Sequence, residues 1–184
     1  DVGEAFDNRD IYTKGTWMLH SLRNLIGEEA FWNGTRRLVY GTAEPWSLQY
    51  PIEARYRTTE EFIEIMSDEA GRDVAWLVES YLNEADMPEL ITSRDGGELS
   101  MRWSVPGGRA FPMPLEVSID GGITTVAMTD ETATIAVPDG ARVIIDPESR
   151  ILRALPIIGD CSEQTDAQVE YNIEEVERRP IIEV

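Results

Sequence analysis

The sequence is short of positive charge, of histidine and of cysteine. Its 184 residues carry 16 Lys and Arg against 35 Asp and Glu, a formal net charge of −19 at pH 7. Such a chain repels phosphate backbones, which argues against nucleic acid as a partner and leaves a cationic partner compatible. The single cysteine, Cys161, excludes an internal disulfide framework and fits a cytosolic or an exported protein equally, so localisation stays open. The single histidine, His20, lies far from Cys161 in sequence. A catalytic zinc takes about three protein ligands, so this chain alone is expected to hold none. A membrane-spanning helix needs about 18 or more apolar residues in a row, and no such run is present. Asp1-Val2-Gly3-Glu4 lacks the basic flank and apolar stretch of a secretory signal.

What is present divides near Pro88. The first half reads as helical. Ile11, Met18, Leu19, Leu22, Leu25 and Ile26 follow helical spacing, with Asp7 or Asn8 as a start signal and Gly27 as a stop. Glu28-Glu29 opens a second helix with acid at the positive end of its dipole. Ala30, Phe31, Leu38 and Val39 are its expected buried stripe, weakened by Gly34. Residues 41–57 read as loop. Thr58 and Glu61 form a capping-box signal before Phe62, Ile65 and Met66, and Gly71 is the expected end. Asp73 caps a fourth helix with Val74, Leu77, Val78, Tyr81 and Leu82 on one face. Asn33-Gly34-Thr35 matches a glycosylation acceptor, but inside a predicted helix it reads as a chance match.

From about residue 90 to 155 the period changes to two. Leu99, Met101, Trp103 and Val105 share one face, with Ser100, Arg102 and Ser104 on the other. Leu115, Val117 and Ile119 repeat the pattern before Asp120-Gly121-Gly122, a hairpin signal. Residues 123–128, 132–137 and 142–145 complete a series of strands. Gly96-Gly97, Pro106-Gly107-Gly108 and Asp139-Gly140 are turns; with no following helix or Lys-Ser/Thr, none is a phosphate loop. Consecutive short strands without helices between them predict a small antiparallel β-sandwich, so the fold class is α+β. After Pro156, eight carboxylates face only Arg178 and Arg179. Val169, Tyr171, Ile173 and Val176 fit a helix or a strand, and apolar anchors such as Ile157 and Ile158 are expected to hold this tail. Asp160, Glu163 and Asp166 lack calcium-loop spacing. The expected division is 1–88 helical, 89–155 β-sandwich and 156–184 acidic tail.

The segment Ile11-Tyr12-Thr13-Lys14-Gly15-Thr16-Trp17-Met18-Leu19-His20-Ser21-Leu22-Arg23 resembles one stretch of the aminopeptidase N family of zinc metallopeptidases. Three later motifs keep the family's order: Leu25-Ile26-Gly27-Glu28-Glu29-Ala30-Phe31, Thr58-Thr59-Glu60-Glu61-Phe62, and Gly71-Arg72-Asp73-Val74 with Trp76 to Leu82 and Met87-Pro88-Glu89-Leu90. The resemblance spans about residues 8–155. It implies the helical end of a metallopeptidase catalytic domain followed by a β-domain, with peptide as substrate. It also implies zinc in an intact parent, held by a His-Glu-x-x-His motif and a further glutamate, all missing here together with the N-terminal catalytic portion. By the same resemblance Tyr12 is the catalytic donor that stabilises the oxyanion of an attacked peptide carbonyl. The residue-level reading of Tyr12 is a half-buried packing residue with a solvated hydroxyl. Lys14 reads as a surface or ion-pair lysine, and Gly15 as a small residue at a close helix contact. His20 reads as packing or hydrogen bonding, and Trp17, Trp76 and Trp103 as core aromatics. A non-catalytic binding or scaffolding module of the same architecture is the alternative.

Overall fold

A computed structural model describes residues 10–49 and 55–154. The expected Asp7 or Asn8 cap, the acidic tail with its anchors, and Cys161 lie outside the described residues. Among those described, four helices precede six strands: α1 Asp10–Ile26, α2 Glu28–Tyr40, α3 Thr59–Ala70, α4 Ala75–Leu82, then β1 Glu89–Asp95, β2 Glu98–Ser104, β3 Leu115–Ile119, β4 Gly122–Val126, β5 Thr132–Ala136 and β6 Val143–Ile145. This is the α+β order expected from the change of period. Residues 10–154 belong to one compact unit.

The helix ends follow the local signals. Gly27, at φ 88°, breaks α1 from α2 in a conformation that costs a side-chain-bearing residue more. Thr58 and Glu61 satisfy each other's backbone N–H groups at the start of α3, at 2.9 and 3.3 Å. The Asp73 carboxylate accepts the Ala75 N–H at 2.9 Å at the start of α4. Leu22, Met66, Val74, Leu77, Val78 and Tyr81 are buried among the helices.

Four expectations for helical side chains need correction. Val39 is 51% exposed and Leu82 is also exposed, so neither belongs to a buried stripe. Phe31 of the expected α2 stripe is buried, and Gly34 is buried with it. Trp17 lies at the surface, while Trp103 is buried as expected. A Cβ on Gly15 would meet nothing within 4 Å, whereas one on Gly34 would stand 2.6 Å from Met66 Sδ. The close helix contact that requires glycine is therefore between α2 and α3. Sequence periodicity fixes which residues share a face; the neighbour that covers it is a tertiary fact.

The strands form two three-stranded antiparallel sheets, β1-β2-β5 and β4-β3-β6. Two-residue turns join β1 to β2 through Gly96-Gly97 and β3 to β4 through Asp120-Gly121, all at positive φ. Such turns match the right-handed twist of the strands they connect. β2 alternates as predicted, with Leu99, Met101 and Trp103 buried. Its inner face shares one hydrophobic cluster with Leu115 and Val117 of β3. β1 was not separately legible, because all its residues but Leu90 are exposed.

Phe111 joins helices to sheets. Its ring meets Trp76, Tyr81 and Trp103 edge-on at centroid distances of 5.2, 6.0 and 5.2 Å. Trp103 Nε1 donates to the Met113 carbonyl at 2.9 Å, satisfying the polar atom of a buried indole. The Tyr81 hydroxyl donates to the Leu152 carbonyl, and the Leu152 N–H donates to Ser21 Oγ at 2.9 Å. α1, α4 and the segment after β6 are thereby tied at one point.

Candidate functional site

Tyr12 stands in the first turn of α1, and its residue is 64% exposed. The helix turns it away from the core because Met18, Ser21 and Leu22 occupy the opposite, buried side. Tyr12, Thr16 and Leu19 follow one another along an exposed line of α1 that ends at the half-buried Arg23. Arg23 Nε then lies 3.1 Å from Glu28 Oε1, and Trp32 Nε1 donates to Glu28 Oε2 at 2.7 Å. The line thus continues onto α2 through Trp32 to Val39, both exposed. Sequence reasoning missed this extension, although the seven-residue spacing of Trp32 and Val39 signals a shared face.

Lys14, the sole lysine of the chain, holds the start of α1 in place. Its Nζ donates to the Glu84 carbonyl at 2.5 Å and to the Ala85 carbonyl at 3.4 Å. The expected surface or carboxylate-paired role is replaced, in these bonds, by main-chain capping just past the end of α4. A cation is favourable there, where carbonyl groups run out of helical partners. The clamp lies two residues from Tyr12, so it restrains the backbone that carries the phenol.

His20 stacks edge-on against Trp17 at 5.4 Å and shares a 3.1 Å hydrogen bond with Asn24 Nδ2. Both contacts are local to α1, in keeping with a packing and hydrogen-bonding residue. Among the described residues no group of three or more His, Cys, Asp or Glu is gathered as a metal would require. The residues described do not fit a catalytic zinc. A groove of about 540 Å³ lies between the α4–β1 turn and the end of β2, lined by Asp86, Met87, Glu89, Val105 and Pro106 among others. Tyr12 is not part of its wall.

No family model matches the sequence. Tricorn protease-interacting factor F2 of Thermoplasma volcanium is 24% identical over 141 residues, which cover 71% of this chain and 16% of that protein. The crystal structure of Legionella pneumophila aminopeptidase A in complex with aspartic acid aligns with a TM-score of 0.44 at 18% identity, over 74% of this chain and 16% of that one. The chain is therefore distantly similar in sequence to part of a protein named for its interaction with tricorn protease, and it spans 16% of that relative's length.

Proposed function

We propose that this chain is the C-terminal part of an aminopeptidase N-like zinc metallopeptidase. Residues 1–88 are the end of its catalytic domain, 89–155 a β-sandwich and 156–184 an acidic tail. The observation that carries this reading is the set of four motifs, from Tyr12 to Leu90, in the family's order. The similarity to F2 over 71% of the chain supports it. Zinc, if held by an intact parent, would take its ligands from polypeptide other than the described residues and would supply an activated water. Tyr12 contributes the hydrogen-bond donor. A peptide carbonyl under attack gathers negative charge on oxygen, and a held O–H stabilises that charge more than it stabilises the substrate. A phenol offers one O–H donor for this purpose. The Lys14 clamp on the Glu84 carbonyl supports this role by fixing the helix turn beneath the ring.

The test is Tyr12→Phe in the full-length polypeptide. It removes one donor and keeps the ring. Loss of an oxyanion donor lowers kcat by roughly 10²–10³-fold, while an exposed hydroxyl changes folding by within about 0.5 kcal/mol. Normal turnover by the variant would remove Tyr12 from the reaction. The chain alone is expected to bind no stoichiometric zinc and to hydrolyse no aminoacyl or peptide substrate. Chelator-sensitive turnover by the isolated chain would overturn that. The alternative, a scaffolding module without chemistry, draws on the exposed Tyr12, Leu19, Trp32 and Val39. A His-Glu-x-x-His encoded upstream of Asp1 favours the enzyme, and its absence the scaffold.

A further inference from the structure

Among the described residues β1, β5, β4 and β6 stand at sheet edges. The start of β1 is met by Ala154, and the Thr132 N–H of β5 is taken by the Thr129 carbonyl. β6 has only three residues. β4 differs: no bridge or ladder reaches its outer side among the described residues. The direction of its main chain follows from β3. The Glu116 carbonyl accepts the Asp146 N–H at 2.8 Å, and the Asp120 N–H donates to the Arg142 carbonyl at 2.9 Å. Alternate residues from Glu116 to Asp120 therefore turn their main-chain groups toward β6. Leu115, Val117 and Ile119 turn toward β4 and pair with Val126, Thr124 and Gly122. Ile123 and Thr125 are left with N–H and C=O directed outward.

The side chains of this edge are as open as its main chain. Gly122, Ile123, Thr124 and Thr125 are all exposed, Ile123 by 52%. Edge strands are commonly blunted by lysine, proline or a bulge. β4 has none of these, and its register with β3 runs unbroken from Gly122 to Val126. It lies within residues 121–129, Gly-Gly-Ile-Thr-Thr-Val-Ala-Met-Thr, the longest run of the sequence without Asp, Glu, Lys or Arg. In a chain of net charge −19, this strand carries no charge of its own.

We propose that the β4 edge pairs with the β4 edge of a second copy of this chain, antiparallel about Thr124. Ile123 of each copy then bonds Thr125 of the other through N–H and C=O, and Thr124 meets Thr124 in the closer, non-bonded position. Every side chain at these three positions is β-branched, a type that packs well across strands. The two three-stranded sheets become one through an isologous contact. The choice of a second copy rests on charge. A surface carrying the chain's average charge repels its own copy. Here no charge is set against a like charge, because Asp120 and Asp130 lie outside the paired run Gly122–Val126. A basic partner finds no carboxylate on β4 to select it. The repulsion that remains is long-range and is screened beyond about 10 Å at 0.1 M salt, so association tightens as salt rises. An edge of five residues places the contact in the weak, transient class. This inference does not depend on the peptidase reading.

Sedimentation equilibrium of the chain is run up to about 1 mM, where a Kd of that order still populates dimer. A dimer is expected that tightens several-fold from low to high salt. Amide exchange at Ile123 and Thr125 should slow as the chain is concentrated. Thr124→Glu and Thr124→Lys should each weaken association about tenfold, by setting like charges against each other across the two-fold axis. Mixing the two variants should restore it, because the pair is then of unlike charge. Thr125→Pro should abolish association while circular dichroism stays native, since the Thr125 N–H is not used by β3. If that variant unfolds, the mixing and exchange measurements decide. A monomer at every concentration and salt would overturn the proposal. So would a dimer in which both amides exchange freely, or a mixture that fails to re-form. A parallel sample receives the uncharged peptide acetyl-Thr-Val-Thr-Val-Thr-amide. Protection of both amides by that peptide, with no dimer in its absence, would give the edge to a foreign strand and overturn the proposal as well.

Discussion

Two glycines, the sixth residue of α1 and the seventh of α2, carry opposite constraints. Gly15 faces open space in α1, and a Cβ there would touch nothing. Gly15→Ala should stabilise the chain by about 0.5–1 kcal/mol through helix propensity alone. Gly34 lies against Met66, which is itself buried. Gly34→Ala makes the same propensity gain and then has to displace the methionine thioether, at a cost of about 1–3 kcal/mol. Chemical denaturation should therefore rank Gly34→Ala below Gly15→Ala by at least about 1 kcal/mol. Equal stabilities would mean that Met66 has room to move. Tyr81 gives a pH-dependent prediction. Burial pushes its hydroxyl well above the ordinary tyrosine value, so the folded chain favours the protonated phenol. That contribution is complete below about pH 10 and is lost as pH rises beyond it toward the folded-state value. Tyr81→Phe should cost about 1 kcal/mol near neutrality, because the Leu152 carbonyl loses its donor. It should also lose less stability than the parent between pH 9 and pH 11. A parallel decline of the two would contradict the burial argument.

At the scale of elements, legibility in the sequence followed how local the cause was. The break at Gly27, the Thr58–Glu61 cap, the alternation of β2 and the Asp120-Gly121 turn all depend on residues within a few positions of one another. β1 escaped because nothing local marks a strand of exposed residues; it exists through its register with β2. Val39 and Leu82 were misplaced for the complementary reason: each has the spacing of a buried face but no element over it. The candidate site was legible only as a single residue. The sequence motif points to Tyr12, but the Lys14 bond to the α4–β1 turn spans 70 positions and leaves no trace in local pattern. The link from Arg23 through Glu28 to Trp32 is similarly a product of how α1 turns into α2.

For the molecule as a whole, Phe111 is the test of unity. It is fully buried and touches rings from α4 and β2 at once. Phe111→Ala should destabilise the chain by about 3–5 kcal/mol. If helices and sheets are one cooperative structure, far-ultraviolet and tryptophan signals should still change together on heating. Separate transitions would show that the two halves hold themselves up independently. The knot of Ser21, Tyr81 and Leu152 has a further consequence in time. Ser21 waits for a partner 131 positions later. At ribosomal speeds of about 5–20 residues per second, roughly ten seconds pass between synthesis of the two. During that interval the helices emerge without the segment that occupies the Tyr81 hydroxyl. Their final docking is a late event of biosynthesis, and the nascent helical half is the stage at which a chaperone has most to shield.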